Sequence, residues 1–297
     1  MINDGIYKLV VDRIDGRVKH AGMQRKTLVT DNFTLEYFDS LSSKPSVLII
    51  HGLGIEGKFQ WYKQLKLLSS HYRVIMPNLL SFGNSRSFHR QYSIEDQVKA
   101  IQLLADELQL TGFDVMGISY GGLVAAELVR LEEHSFRKLL LMDAPVKFFD
   151  VTDIERIGHS LRADSLESLF VPSDADGLRK LFFAATGQKV PVLKGVMEKF
   201  QHELFGVATE EKRLMIKEMI AAINQYKVVD YSGIKVPVKL IWGEKDLLVP
   251  VERAKLLQKH IGSNADLSII PGVGHVPNFQ RSLKFNHLMM DFLSSAE

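Results

Sequence analysis

The chain has no cysteine in its 297 residues. That absence removes disulfides, thiolate-bound metal and a cysteine nucleophile, and it fits a reducing cytoplasm, the location expected here. Long apolar runs are missing as well: none reaches the ~20 residues that a membrane-spanning helix needs. Met1-Ile2-Asn3-Asp4 opens without the charged-then-apolar layout of a secretory leader. Charge of one sign is scarce, and a formal net charge of +2 makes no field that would argue for a nucleic-acid partner. The histidines are scattered without the short spacing of a metal site, so no metal is expected.

What is present is ordinary for a globular enzyme: 46% apolar residues and ample length for a core. Strand-like runs alternate with helical ones, which predicts a mostly parallel sheet covered on both faces. Residues 27–38 read as leading antiparallel strands and 46–50 as the first core strand, followed by a helix over 57–70 and a strand over 73–76. Ser93 caps a helix to about Leu108, with Ile94, Val98, Ile101 and Leu104 on one stripe. A helix to about residue 133 and a strand over 137–142 come next. From Pro145 to about Tyr231 the strand signal vanishes and helical patterns take over. This predicts a core of residues 1–145 and 232–297 with a helical cap over 146–231, since ligands of open α/β sheets bind beyond the strands' carboxyl ends.

Gly117-Ile118-Ser119-Tyr120-Gly121 lies between an apolar strand and a helix. A G-x-S-x-G in that setting is a turn so tight that small residues must flank the serine while its hydroxyl projects above the sheet. Upstream, the strand Val47 to Ile50 runs into His51-Gly52-Leu53-Gly54; downstream, Val238 to Trp242 runs into Gly243-Glu244-Lys245-Asp246. A last strand, Leu267 to Ile270, leads into Pro271-Gly272-Val273-Gly274-His275. At these residues, and over nearly its whole length, the chain resembles the α/β-hydrolase superfamily, whose catalytic residues come in the order Ser, Asp, His. The fold implied is a mostly parallel central sheet with helices on both faces and a helical cap insertion.

In that reading Ser119 is the nucleophile and His275 its base, because a serine hydroxyl attacks poorly near neutral pH unless an imidazole takes its proton. A carboxylate must hold the imidazole. Asp246, Glu244 and Asp143 all compete on residue type, and the resemblance of Trp-Gly-Glu-Lys-Asp followed by Val249-Pro250 to the family's acid loop favours Asp246. The backbone N–H groups of Leu53 and Tyr120 are the expected oxyanion donors. His51 reads as a structural hydrogen-bonding residue. Phe148 and Phe149, at the start of the cap, and Val276, beside the histidine, are the candidate substrate contacts.

Gly52-Leu53-Gly54-Ile55-Glu56-Gly57 also fits G-x-G-x-x-G, but the next strand ends Ile75-Met76-Pro77-Asn78 without the acidic residue that would hold a ribose. No NAD, and no cofactor of any kind, is therefore expected. Within the superfamily, serine at the turn argues against the aspartate-based dehalogenases and epoxide hydrolases. The carbon–carbon hydrolases usually carry tryptophan where this chain has Val276.

A narrower resemblance, to monoacylglycerol-lipase-like hydrolases, rests on Gly22-Met23, on Pro77-Asn78 opening the Leu79 to Ser85 loop, and on Val171-Pro172-Ser173 through Val190-Pro191. Asn78 stands where those proteins usually have aspartate, and Gln280 where a glutamate is common. The activity implied is serine carboxylic-ester hydrolysis of a small hydrophobic substrate; the alternatives are a carbon–carbon bond hydrolase or a slow ligand receptor on the same fold. Residues 4–20 place Ile6, Leu9, Val10, Ile14 and Val18 near helical spacing among basic residues. Such a helix either packs on the body or touches a membrane surface, and packing is the simpler expectation. No oligomeric state is legible.

Overall fold

A computed structural model describes residues 2–131, 136–189, 191–226 and 228–295. Among the described residues nine strands form one sheet in the order β1-β2-β4-β3-β6-β7-β8-β9, with the short β5 (Arg86–Ser87) on β2. The leading pair β1 (Gln24–Val29) and β2 (Phe33–Asp39) is antiparallel. The strands β3 (Ser46–Ile50), β4 (Arg73–Pro77), β6 (Phe113–Ile118), β7 (Phe136–Met142), β8 (Val238–Gly243) and β9 (Ala265–Ile270) all pair in parallel, so their carboxyl ends share one edge.

The period of two along each central strand divides the core. Leu48, Ile50, Val115, Leu139, Leu141, Leu240 and Trp242 face one apolar cluster, shared with α4 (Ile94–Glu107), α5 (Tyr120–Leu131) and α11 (Val251–Ile261). Val47, Ile49, Met116, Leu140, Met142 and Ile241 face the other, with α1 (Ile2–His20), α3 (Leu65–His71) and the last helix, Ser282–Ser294. A strand buried on both faces reads as a continuous apolar run, which is how these strands appear in the sequence. The Ser93 cap is present with a reciprocal bond from Asp96, as the first-turn acids suggest.

One element departs from the expected pattern. The single helix over 57–70 is broken into α2 (Gly57–Trp61) and α3. Asn278 Nδ2 donates to the Gln60 carbonyl at 2.9 Å, while Gln64 N–H turns to Trp61 O at 2.8 Å. A side chain from the far end of the chain has replaced one bond of the helical ladder. The helix expected to about residue 133 is α5, described to Leu131; the rest of that span lies outside the described residues.

Between β7 and β8 lie only helices among the described residues: α6 (Val151–Leu161), α7 (Leu166–Phe170), α8 (Ala175–Thr186), α9 (Lys194–Phe205) and α10 (Thr209–Tyr226). Asp150, Ser165 and Asp174 cap the first three, and Gly187 closes α8 at φ +68°. Their apolar faces join the same cluster as α4 and α5, so the insertion and that face of the sheet are packed as one body. The terminal helix α1 packs on the body as well: Ile14 and Val18 are buried, and Tyr7 meets Phe200 of α9 edge-on at 5.0 Å. Leu9 stays exposed on its outer side.

Candidate active site

Between β6 and α5 a single residue, Ser119, makes the turn, with φ +52°. A left-handed backbone costs a non-glycine residue roughly 1–2 kcal/mol, so neighbouring bonds must hold it. Ser119 N–H donates to Met142 O at 2.9 Å, and Ser119 O accepts from the N–H groups of Gly122 and Leu123 at 2.8 and 3.1 Å. The flanking glycines answer a spatial demand. A Cβ on Gly121 would lie 2.2 Å from His51 O, and one on Gly117 would lie 2.3 Å from Gly121 O. The turn is therefore pressed against the end of β3.

That strand end carries His51, fully buried, whose Nε2 accepts the Leu79 N–H at 3.0 Å. The proton must then sit on Nδ1, which donates to Gly52 O at 2.8 Å. Burial pulls its pKa down to about 4, so the ring is neutral. As expected from sequence, His51 works as a structural brace. The adjacent Leu53 shares a cavity wall with Ser119, and Tyr120 opens α5, where a first-turn N–H has no intrahelical acceptor.

On the other side of the edge, Asp246 and His275 are both buried, and His275 Nδ1 lies 2.8 Å from Asp246 Oδ2. Asp246 Oδ1 accepts the N–H groups of Leu248 and Val249 at 2.8 and 3.0 Å, which orients the carboxylate. With Nδ1–H donating to Asp246, Nε2 of the neutral ring is left as an unprotonated base. The two loops meet because Gly243 has no side chain: a Cβ there would sit 1.9 Å from Gly274 O. No hydrogen bond joins Ser119 Oγ to His275 among the described residues.

The inserted helix α8 also grips the histidine loop. His275 N–H donates to Ala185 O at 2.8 Å, Gly274 N–H donates to Gln280 Oε1 at 2.9 Å, and Gln280 Nε2 donates to Thr186 O at 2.9 Å. A glutamate at 280 could accept from Gly274 but could not donate to Thr186. The other departure, Asn78, is explained in the same way. Its Oδ1 accepts Gly57 N–H and its Nδ2 donates to Glu36 Oε2 at 2.7 Å, where an aspartate would face a like charge.

The rival carboxylates stand elsewhere. Glu244 Oε2 accepts Gly272 N–H at 2.8 Å on the outside of the loop. Asp143, at φ +48° just past β7, is fully buried, and its Oδ1 accepts Gly243 N–H at 2.9 Å. Donor atoms of Asp143, Asp246 and His275 all lie within 4.8 Å of one another. Such a set could hold a cation only by giving up the Asp246–His275 bond, because backbone N–H groups and the imidazole already occupy Asp143 Oδ1 and both Asp246 oxygens.

A small cavity of about 40 Å³ lies over Ser119. Leu53, Tyr120, Leu123 and Pro145 line it from the sheet side, Phe149, Ile157, Leu166, Phe170, Met219 and Ile223 from the insertion, and Leu248 and Val249 from the Asp246 loop. None of these side chains is charged. Of the expected contacts, Phe149 is in this wall, whereas Phe148 turns to His260, ring centroids 5.8 Å apart, and Val276 packs in the opposite cluster. Met219 and Ile223, one helical turn apart, escaped sequence reading because a stripe of that kind looks the same facing a cavity or a core.

Residues 47–287 match the alpha/beta hydrolase family, and the chain belongs to it. Among curated proteins, human monoacylglycerol lipase ABHD6 is 26% identical over 265 residues, spanning 85% of this chain and 76% of that protein. The Xenopus laevis monoacylglycerol lipase abhd6-A is 27% identical over 296 residues, spanning 93% of this chain and 84% of the relative. Among solved structures, the lipase candidate lip1 from Acinetobacter baumannii AYE superposes with a TM-score of 0.83 at 23% identity, covering 97% of this chain and 95% of the other. A 2-hydroxy-6-oxo-6-phenylhexa-2,4-dienoate hydrolase from Rhodococcus sp. strain RHA1 gives 0.77 at 20% identity, covering 92% and 99%. The structural likenesses establish the fold. Among the described residues no helix is long and apolar enough to cross a membrane.

Proposed function

We propose that this chain is a serine hydrolase that cleaves carboxylic esters of small hydrophobic or acyl substrates beneath a helical cap formed by residues 146–231. The observation that carries this reading is the buried His275–Asp246 pair, bonded at 2.8 Å at the same sheet edge as a serine in a strained turn that faces an apolar cavity. Ester enters under the cap. His275 Nε2 takes the Ser119 proton as Oγ attacks the carbonyl carbon, and the oxyanion is met by the N–H groups of Leu53 and Tyr120. Collapse of the tetrahedral intermediate expels the alcohol, which takes the proton from His275. Water, activated by the same ring, then releases the acid and restores Ser119. Asp246 keeps the proton on Nδ1 and stabilises the imidazolium. No step needs a cofactor.

The uncharged cavity favours esters over the carbon–carbon alternative, because a dienoate substrate brings a carboxylate that would need a cation in the wall. The likeness to monoacylglycerol lipases points the same way. The test is p-nitrophenyl ester turnover by wild type and Ser119→Ala, together with labelling by a fluorophosphonate probe. The variant should lose several orders of magnitude in kcat and all labelling. Equal rates would remove Ser119 from the mechanism, while ligand-induced stabilisation without labelling in the wild type would make the protein a receptor.

A further inference from the structure

Asp143 is a second carboxyl group packed behind the Asp246–His275 pair, and the mechanism above gives it no part. Its side chain is fully buried, and Oδ2 has no hydrogen-bond partner if both aspartates are counted as acceptors only. An orphaned buried oxygen is costly, and more so when it carries charge. Two carboxylates this close in a dry setting cannot both ionise. The titratable groups facing Asp143 are Asp246 from the β8 loop and His275 from the β9 loop; no lysine or arginine pairs with it among the described residues. Hydrogen bonding decides which partner keeps the charge. Asp246 receives three N–H donors, from Leu248, Val249 and His275, whereas Asp143 receives one, from Gly243.

We infer that Asp143 is a neutral carboxylic acid whose Oδ2–H donates to the Asp246 carboxylate, making it a positioning residue for the imidazole. One proton then satisfies both otherwise conflicting groups. Burial first, and the Asp246 charge second, raise the Asp143 pKa well above the ordinary carboxylate range. The functional consequence rests on the hydrolase reading: His275 sees one negative charge, held on an aspartate anchored from both sides. The proton stays on Asp143 throughout the cycle, and Asp246 remains the anion that faces the imidazolium.

Infrared difference spectroscopy on [4-13C]aspartate-labelled protein tests the protonation without reference to activity. Wild type at pH 7 should show an isotope-shifted neutral-carboxyl C=O band that disappears in Asp143→Asn and in Asp143→Ser. No such band, or a band that survives in a folded variant, overturns the proposal. The kinetic consequence is read from the acid limb of kcat/KM. Asp143→Asn preserves charge and a donor, so the limb should stay within about 0.3 pH unit even if kcat drops; an ionised Asp143 would instead give a fall of about one unit or more. Asp143→Leu removes the donor and should raise the limb, since Asp246 becomes more basic; a profile identical to wild type would reduce Asp143 to a space filler. Loss of ester turnover in the wild type would sink the hydrolase reading and leave the infrared result standing.

Discussion

The Ser119 turn and the His275 loop reach the same sheet edge but are held by different parts of the molecule. Ser119 is fixed by backbone packing inside the sheet layer, through Met142 O and the glycines pressed on the end of β3. His275 is fixed by Asp246 below and by the carbonyls of Ala185 and Thr186 in α8 above. The backbone bonds that set the serine all lie within the sheet layer and its first helix turn. The imidazole, in contrast, is also tied to the insertion, so a displacement of α8 would act directly on the loop that carries the ring.

The severest way to break this comparison is on the sheet side. Gly121→Ala would drive a Cβ to within 2.2 Å of His51 O, backbone against backbone, with no flexible side chain to yield. We expect a loss of about 4 kcal/mol or more, read as a lower denaturation midpoint or no folded protein. A Gly121→Ala protein of near wild-type stability would show that the turn has room the packing denies.

Next comes the brace beneath the turn. His51 has a folded pKa of about 4 against 6.5 for an ordinary histidine. The unfolded chain binds the proton first as pH falls, so the stability this residue contributes is complete above pH 6.5 and is lost on the way down to 4. The span is about 3 kcal/mol by linkage. Asp143, with a raised pKa, contributes with the opposite slope, so the informative quantity is the difference between wild type and His51→Asn in urea titrations at several pH values. A difference that is flat between pH 6.5 and 4 would mean that the ring titrates normally in the folded protein.

The smallest effect should come from the insertion side. Gln280→Glu keeps the acceptor for Gly274 but sets a carboxylate against Thr186 O, for a cost of about 1–2 kcal/mol. If α8 positions the imidazole, kcat for short esters should fall about tenfold with KM nearly unchanged, and fluorophosphonate labelling should slow in parallel. An unchanged kcat alongside the stability loss would mean that the grip on the loop is structural only.

Much of this was legible in the residues. The strands buried on both faces announce themselves as apolar runs, the Ser93 cap is local chemistry, and each candidate site residue sits at the end of a run where a glycine-rich turn has to follow. The break near Tyr62 was not legible, since it depends on Asn278 reaching Gln60 across most of the chain length. The division of labour among the acids was legible only through the acid-loop resemblance that favoured Asp246, since Glu244 and Asp246 follow the same strand end and differ in which way their side chains turn. Phe148 and Phe149 are adjacent and alike on paper, yet one meets His260 and the other lines the cavity.

Local preference and period therefore determined the elements and their order, and the resemblance pointed to a serine, a histidine and a carboxylate in hydrolase order. Tertiary structure alone decided that Asp143 is buried behind the Asp246–His275 pair, and that an inserted helix holds the loop bearing the ring. The reason is physical: the first set depends on neighbours within a few residues, whereas the second depends on distances between loops that only the packed sheet brings together.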